Sequence, residues 1–307
     1  MTTGTFLRAS SAAAFSALAF GCGNETAPTG SLTVSIQAED TITAGLEAGS
    51  GDEQIVDGWS VTFERYIIAI GHLHVAPAGG GSGGIEQHDE LVIDLRSVPE
   101  SGRQFASAMG LPEGRYSFEY EIPVAAADME RDSSVSQADF DRMVAESCTY
   151  LIVGSATDGT RTVGFDLCLD AEAVFECSSM EGMEGIVVSA GTNAAFMTIH
   201  GDHLFFNGFP EAEEGGVMRR ASWLALVDDA TGADGMITNA DLESTPISIL
   251  PSSEYALAGA PMVEGMAVTN MALYARAQLM TQGHLNGEGE CLANGMGHSH
   301  APLRRGL

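Results

Sequence analysis

The chain of 307 residues contains no lysine; all 13 basic residues are arginine, set against 42 Asp and Glu for a formal charge of −29. That absence excludes every chemistry built on a lysine amine, including Schiff bases, P-loop phosphate transfer and protein-kinase catalysis. The shortage of positive charge excludes more. With a pI near 4.3, the chain repels phosphate backbones and anionic headgroups, which argues against nucleic-acid binding and a polybasic membrane contact and leaves cations as the natural partners. No run of about 18 apolar residues follows the N-terminus, so no transmembrane helix is expected. No C-x-x-C pair occurs either, which argues against a structural zinc cluster of cysteines. What the chain does have is 45% hydrophobic residues, enough to exclude wholesale disorder, in a length that suits one large or two modest domains.

Arg8 is the only charge before residue 25, and Ala9 to Phe20 is small and apolar. This is the pattern of a secretory leader, with an apolar stretch too short to span a bilayer. Leu18-Ala19-Phe20-Gly21-Cys22 resembles the lipobox of bacterial lipoproteins. The resemblance implies removal of residues 1–21 and a diacylglycerol anchor on Cys22; free secretion is the alternative. The expected location is outside the cytoplasm, at the outer membrane or in the periplasm, with membrane contact only through the anchor.

Export changes the meaning of the remaining cysteines. Cys148, Cys168, Cys177 and Cys291 are an even number in an oxidising compartment, which predicts two disulfides. Three pairings satisfy the count. The favoured one joins Cys148 to Cys168, on adjacent strand-like runs, and Cys177 to Cys291, which ties the C-terminal region to what precedes it.

Residues 22–30 read as a polar tether. From 31 to 206, short runs of period-two alternation are separated by Gly, Pro, Asp and Ser, the signature of an all-β sandwich. In Arg115 to Val124, for example, Tyr116, Phe118, Tyr120 and Ile122 fall on one face and Ser117, Glu119 and Glu121 on the other. Between 207 and 290 the period changes: helices are predicted over Val217–Val227, Asn239–Ser244 and Thr269–Gln282, the last capped by Thr269 or Asn270 and closed by Gly283 as a C′ glycine. Residues 291–307 read as a flexible tail, the chain loosening from Gly287. The fold class is therefore mainly β, a sandwich followed by a small α-helical region.

The order of an early strand, Asp57-Gly58-Trp59, a long strand, Leu91 to Leu95 and Leu111-Pro112-Glu113-Gly114-Arg115-Tyr116 resembles an uncharacterised class of bacterial secreted lipoproteins. Its members have a transthyretin-like or immunoglobulin-like sandwich. Ile199 to Phe205 and Gly283-His284 to Cys291 are similar to recurring motifs of a narrower, likewise uncharacterised group within it. The resemblance implies fold and compartment, and no reaction.

Four constellations can carry chemistry. The first, residues 228–241 between two helix-like stretches, resembles an EF-hand loop. Gly235 supplies the turn, Ile237 the apolar contact, and Asp229, Thr231, Asp234, the Met236 carbonyl and Asp241 the ligand places. Asp in the last place instead of a bidentate Glu implies weak Ca²⁺ binding; ordinary Asp/Gly turn chemistry is the alternative. The second is Thr198-Ile199-His200-Gly201-Asp202-His203. His200, Asp202 and His203 can converge on one Zn²⁺ or Cu ion if the strand bends after His200, with His284 as a third imidazole carried back by the Cys177–Cys291 bond. The motif is similar to the H-x-H-x-D-H of metallo-β-lactamases, with Thr198 in place of the first His. Three readings stay open: hydrogen-bonding histidines at a domain junction, a non-catalytic metal site, and a zinc hydrolase.

Third, His72 and His74 share a strand face, with His88 on a hairpin partner; solvent-facing histidines are the simplest reading. Fourth, Met296, His298 and His300, with Met180 and Met183 at a distance, are similar to the Met/His tracts of periplasmic copper carriers. Gly80-Gly81-Ser82-Gly83-Gly84 matches G-x-S-x-G only formally, in a low-complexity loop with no helix behind it. The expected function is a non-catalytic, divalent-cation-binding module of the cell envelope, with calcium first, a binding or scaffolding role, and another envelope protein as a partner. A metal-dependent hydrolase and a transition-metal handling protein are the rivals.

Overall fold

The computed structural model describes residues 28–293, apart from residues 52, 179–182, 210–216, 259 and 261. The leader, Cys22, Met180, Met296, His298 and His300 lie outside the described residues. Fourteen strands are described: β1 Thr29–Ala38, β2 Ser60–Pro77, β3 Ile85–Asp94, β4 Arg103–Pro112, β5 Gly114–Ile122, β6 Glu130–Arg131, β7 Tyr150–Thr157, β8 Thr162–Leu169, β9 Ala173–Cys177, β10 Ile186–Val188, β11 Gly191–Ile199, β12 Met236–Thr238, β13 Gly283–Leu285 and β14 Gly289–Ala293. The helices are α1 Asp40–Thr43, α2 Gln137–Glu146, α3 Ser222–Thr231, α4 Asn239–Ser244 and α5 Met271–Leu279.

The molecule is mainly β, as the alternating runs require. Its strands follow one curled, mixed path in the order β12-β8-β7-β2-β5-β9-β14-β13-β11-β1-β4, with β10 beside β5 and β3 between β2 and β6. Pairing is antiparallel except for β1 with β11, β12 with β8 and β3 with β6. The centre of β2 breaks strict alternation for a physical reason: both of its faces are covered. Tyr66, Ile68 and Ile70 enter the main core, while Ile67 and Ala69 enter a smaller one under Phe140 and Met143 of α2. The sequence reading of 31–206 as strands alone missed α2. Its start signal is present, because Ser136 accepts the Asp139 N–H at 3.1 Å as an N-cap. Burying Phe140 and Met143 stabilises the helix's seat by roughly 2 kcal/mol each.

The main core runs from Leu32 to Ala293 and takes in Trp223 of α3 and Tyr274 of α5. The α4 helix has the predicted bounds, and Asn270 caps α5 by accepting the Leu273 N–H at 2.9 Å. Two helix expectations are corrected. The helix expected over Val217–Val227 is α3, and begins only at Ser222, because residues around Arg219 are extended, bridging Phe206 and Ile55. Gly283 is not a C′ glycine: it opens β13, and a Cβ there would meet the Phe175 ring at 2.7 Å. The position needs glycine for close approach.

The C-terminal hairpin joins the two halves of the sheet. β14 pairs with β9, and β13 pairs with β11. The chain expected to loosen from residue 287, and the tail expected from 291, instead continue as β14 to Ala293. Asn286 and Gly287 turn the hairpin with φ of 56° and 88°, a conformation these two residue types adopt most readily. Cys177 lies directly opposite Cys291 across the β9–β14 ladder, and the two are bonded. Cys148 is bonded to Cys168, so both expected pairings occur. Two disulfides point to an oxidising, exported environment. Among the described residues no helix is long and apolar enough to cross a membrane.

Candidate metal centre

At Ile199 the chain leaves β11, and the His200 N–H donates to the Gln282 carbonyl at 3.1 Å. A 3-10 turn over Gly201–Phe205 follows. Three residues per turn places His203 above His200, with ring centroids 5.4 Å apart. His284 arrives from the middle of β13, opposite Thr198. It stacks on His200 at 3.8 Å and meets His203 edge-on at 5.1 Å. Ring nitrogens of His200, His203 and His284 lie within 4.8 Å of one another. The sequence proposed this trio on the strength of the Cys177–Cys291 bond, and the hairpin held by that bond is what carries His284 in.

The hydrogen bonds assign the lone pairs. The Gly287 carbonyl can only accept, so His200 donates to it through Nε2–H at 2.8 Å and keeps its lone pair on Nδ1. Thr281 gives its single hydroxyl proton to the Gln278 carbonyl, so its Oγ1 accepts from His203 Nδ1–H at 2.8 Å. His203 therefore offers Nε2. His284 Nδ1 is buried with no hydrogen-bond partner, an unusual and costly condition for a ring nitrogen. Metal-binding histidines are held in this way, the far nitrogen donating to a fixed acceptor so that the near one is aimed.

Burial favours the neutral form of His203 and His284. It pushes His284 down to about 2, with His200 and His203 adding to the effect. Burial likewise puts His203 well below the usual histidine range, helped by His200 and Arg219. The planes of His200 and His284 are 24° apart and their centroids 3.8 Å apart, so their lone pairs lie in separate, near-parallel planes. Meeting one ion at about 2.0–2.1 Å requires one of the rings to rotate.

The surroundings are acidic. Asp202, fully buried, is held by Arg219, whose Nε and Nη2 both lie 2.5 Å from Oδ2. Its Oδ1 is 4.0 Å from His200 Nδ1 and makes no hydrogen bond. Of the four residues the sequence grouped, the three histidines converge, and Asp202 is committed to Arg219. Glu39 Oε1 stands 3.2 Å from His200 Nδ1, and burial raises this carboxyl to about 7 against the pull of His200. Glu39, His200 and Glu288 form a second group whose ligand atoms lie within 4.8 Å of one another. The sequence reading missed Glu39, Arg219, Thr281 and Glu288, because none stands in a recognisable spacing with His200. No protein family, curated protein or solved structure matches the chain.

The other candidates are differently arranged. In the 228–241 loop, Asp229 pairs with Arg161 at 2.9 Å, and the neighbouring Asp228 pairs with the same guanidinium at 2.5 Å. The Thr231 hydroxyl donates to the Val227 carbonyl, and Asp234 accepts the Met236 N–H at 3.0 Å. Asp241 closes a capping box with Thr238 at the start of α4. The turn at Gly235 is real, with φ of 82°, but its acids serve the local backbone and Arg161. His72, His74 and His88 lie among carboxylates on the outer face of β2 and β3. His72 bonds Glu90 at 2.7 Å, while His74 and His88 both approach Glu86. Met183 is exposed, its sulfur accepting from Arg115. A pocket of about 340 Å³ between α2 and β12 is lined by Arg142, Glu146, Asp166 and Met236, and by none of the central histidines.

Proposed function

We propose that this is an exported, non-catalytic protein of the cell envelope that holds a divalent transition-metal ion on His200, His203 and His284. The carrying observation is the convergence of three imidazoles, two buried and His284 half-buried, one with an unpartnered nitrogen and two tied through their far nitrogens to Gly287 and Thr281. Three imidazole nitrogens suit Zn²⁺ or Cu²⁺ and not Ca²⁺, which takes oxygen ligands. The ion would clamp the end of β11 to the C-terminal hairpin, a structural role. A calcium role for residues 228–241 is not part of the proposal, since Asp229, Asp234 and Asp241 already have partners. A hydrolase is the weaker alternative: Asp202 is held by Arg219, and His200 and His203 are only 4% and 6% exposed. The finer reading adds a lipid anchor on Cys22, a sandwich of the transthyretin or immunoglobulin type, and a scaffolding role beside another envelope protein.

Elemental analysis of the protein purified without chelator tests the proposal. About one transition-metal ion per chain is expected. EDTA should lower the melting temperature and Zn²⁺ restore it, with Ca²⁺ inert; a ligand at 100 times its Kd adds about 2.7 kcal/mol. The His203→Ala/His284→Ala variant should retain no metal. Wild-type protein that holds no metal and whose melting no cation shifts would refute the reading.

A further inference from the structure

We propose that Glu39, His200 and Glu288 form an outer cation position through which the metal ion reaches the three histidines, an inference that rests on the reading of that trio as a metal centre. One ligand atom from each of Glu39, His200 and Glu288 lies within 4.8 Å of the others, and His200 belongs to both groups. Exposure falls along the series. Glu288 is exposed, the Glu39 side chain is 18% exposed and that of His200 is 6% exposed. A hydrated dication approaching a chain of charge −29 meets Glu288 first.

Glu288 is placed by backbone, not by chance. The turn before it is fastened to β11 by Asn286 N–H to the Phe196 carbonyl and by Gly287 N–H to Thr198 Oγ1, both 3.0 Å. The Gly287 carbonyl is the same group that takes the His200 Nε2 proton. With Nε2 so occupied, His200 has one lone pair to offer, on Nδ1. Both groups must use it, so they hold one ion between them and never two. The ion keeps its bond to His200 while two carboxylate oxygens are exchanged for two imidazole nitrogens. For Zn²⁺ or Cu²⁺ that exchange runs toward the better ligands.

The test is the rate of Zn²⁺ uptake by the chelator-stripped full chain, followed by stopped flow against a chromogenic zinc indicator. Wild type should take one Zn²⁺ per chain. Glu288→Gln should load roughly fivefold or more slowly and release to a chelator more slowly by the same factor, with stoichiometry and affinity unchanged. Glu290→Gln removes the same charge from the same exposed hairpin and should load at the wild-type rate. The inference is overturned if Glu288→Gln loads as wild type, if Glu290→Gln slows equally, if Glu288→Gln weakens affinity without changing the rate, or if wild type takes two ions. When wild type binds one ion, His203→Ala/His284→Ala binds none and Glu288→Gln loads normally, the outer position alone fails. When wild type takes up none, the metal centre fails with it.

Discussion

One hydroxyl decides which nitrogen His203 can offer. Thr281 hands its proton to the Gln278 carbonyl and so can only accept from His203 Nδ1–H, leaving Nε2 free. Thr281→Val keeps the shape and removes the acceptor. Loss of such an outer partner lowers metal affinity about 10- to 100-fold, so a Zn²⁺ competition titration should show that drop while the far-ultraviolet spectrum stays unchanged. Asp241 is a residue whose local role has displaced a more distant one. Its carboxylate accepts from the Thr238 hydroxyl at 2.7 Å and from the Thr238 N–H at 2.8 Å, and these bonds hold its pKa below the usual 3.8. A depressed folded value means that the cap's contribution is fully present above the unfolded pKa and is lost as pH falls through the folded one. Asp241→Ala should therefore cost about 1 kcal/mol at pH 7. The gap to wild type in urea melts should shrink below pH 4 and close as the carboxylate protonates.

At the scale of elements, the β13–β14 hairpin is decisive. It pairs with β11 on one side and β9 on the other, and it carries His284, Gly287 and Glu288. Cys177–Cys291 closes a loop of 114 residues in sequence separation, for which chain entropy predicts about 4–5 kcal/mol. The Cys177→Ala/Cys291→Ala variant should lose that much in denaturant melts and bind Zn²⁺ more weakly, because His284 is no longer pinned. Much at this scale was legible in the sequence. The Asn270 cap, the α4 bounds and the strand character of Tyr116 to Ile122 follow from residues a few places apart. The α2 helix was legible in principle from Ser136 and Asp139, but it was masked by the alternating runs on either side. The bounds of α3 were not legible, since strand-like bridges formed by Arg219 with distant residues overrode the local helical pattern.

Over the whole molecule, the charge is the dominant property. Thirteen arginines face 42 acids, and the described arginines include Arg65, Arg103, Arg142, Arg161, Arg219, Arg220 and Arg276 in ion pairs. The net excess of 29 negative charges is self-repelling. Screening shortens that repulsion to about 3 Å at 1 M salt, so the melting temperature should rise steadily with NaCl from 0.01 to 1 M. A flat or falling response would show that the arginine pairs outweigh the net field.

The sequence alone determined the β character, an even set of four cysteines that suits an oxidising setting, and the three histidines worth bringing together. Each rests on a signal carried by residue type or by spacing along the chain. Only the tertiary structure decided that Asp202 is bound to Arg219, that Asp241 caps a helix, and that Glu39 and Glu288 stand beside His200. Those outcomes depend on which distant segments pack against each other, and that choice is made by burying a common core, not by any pattern along the chain.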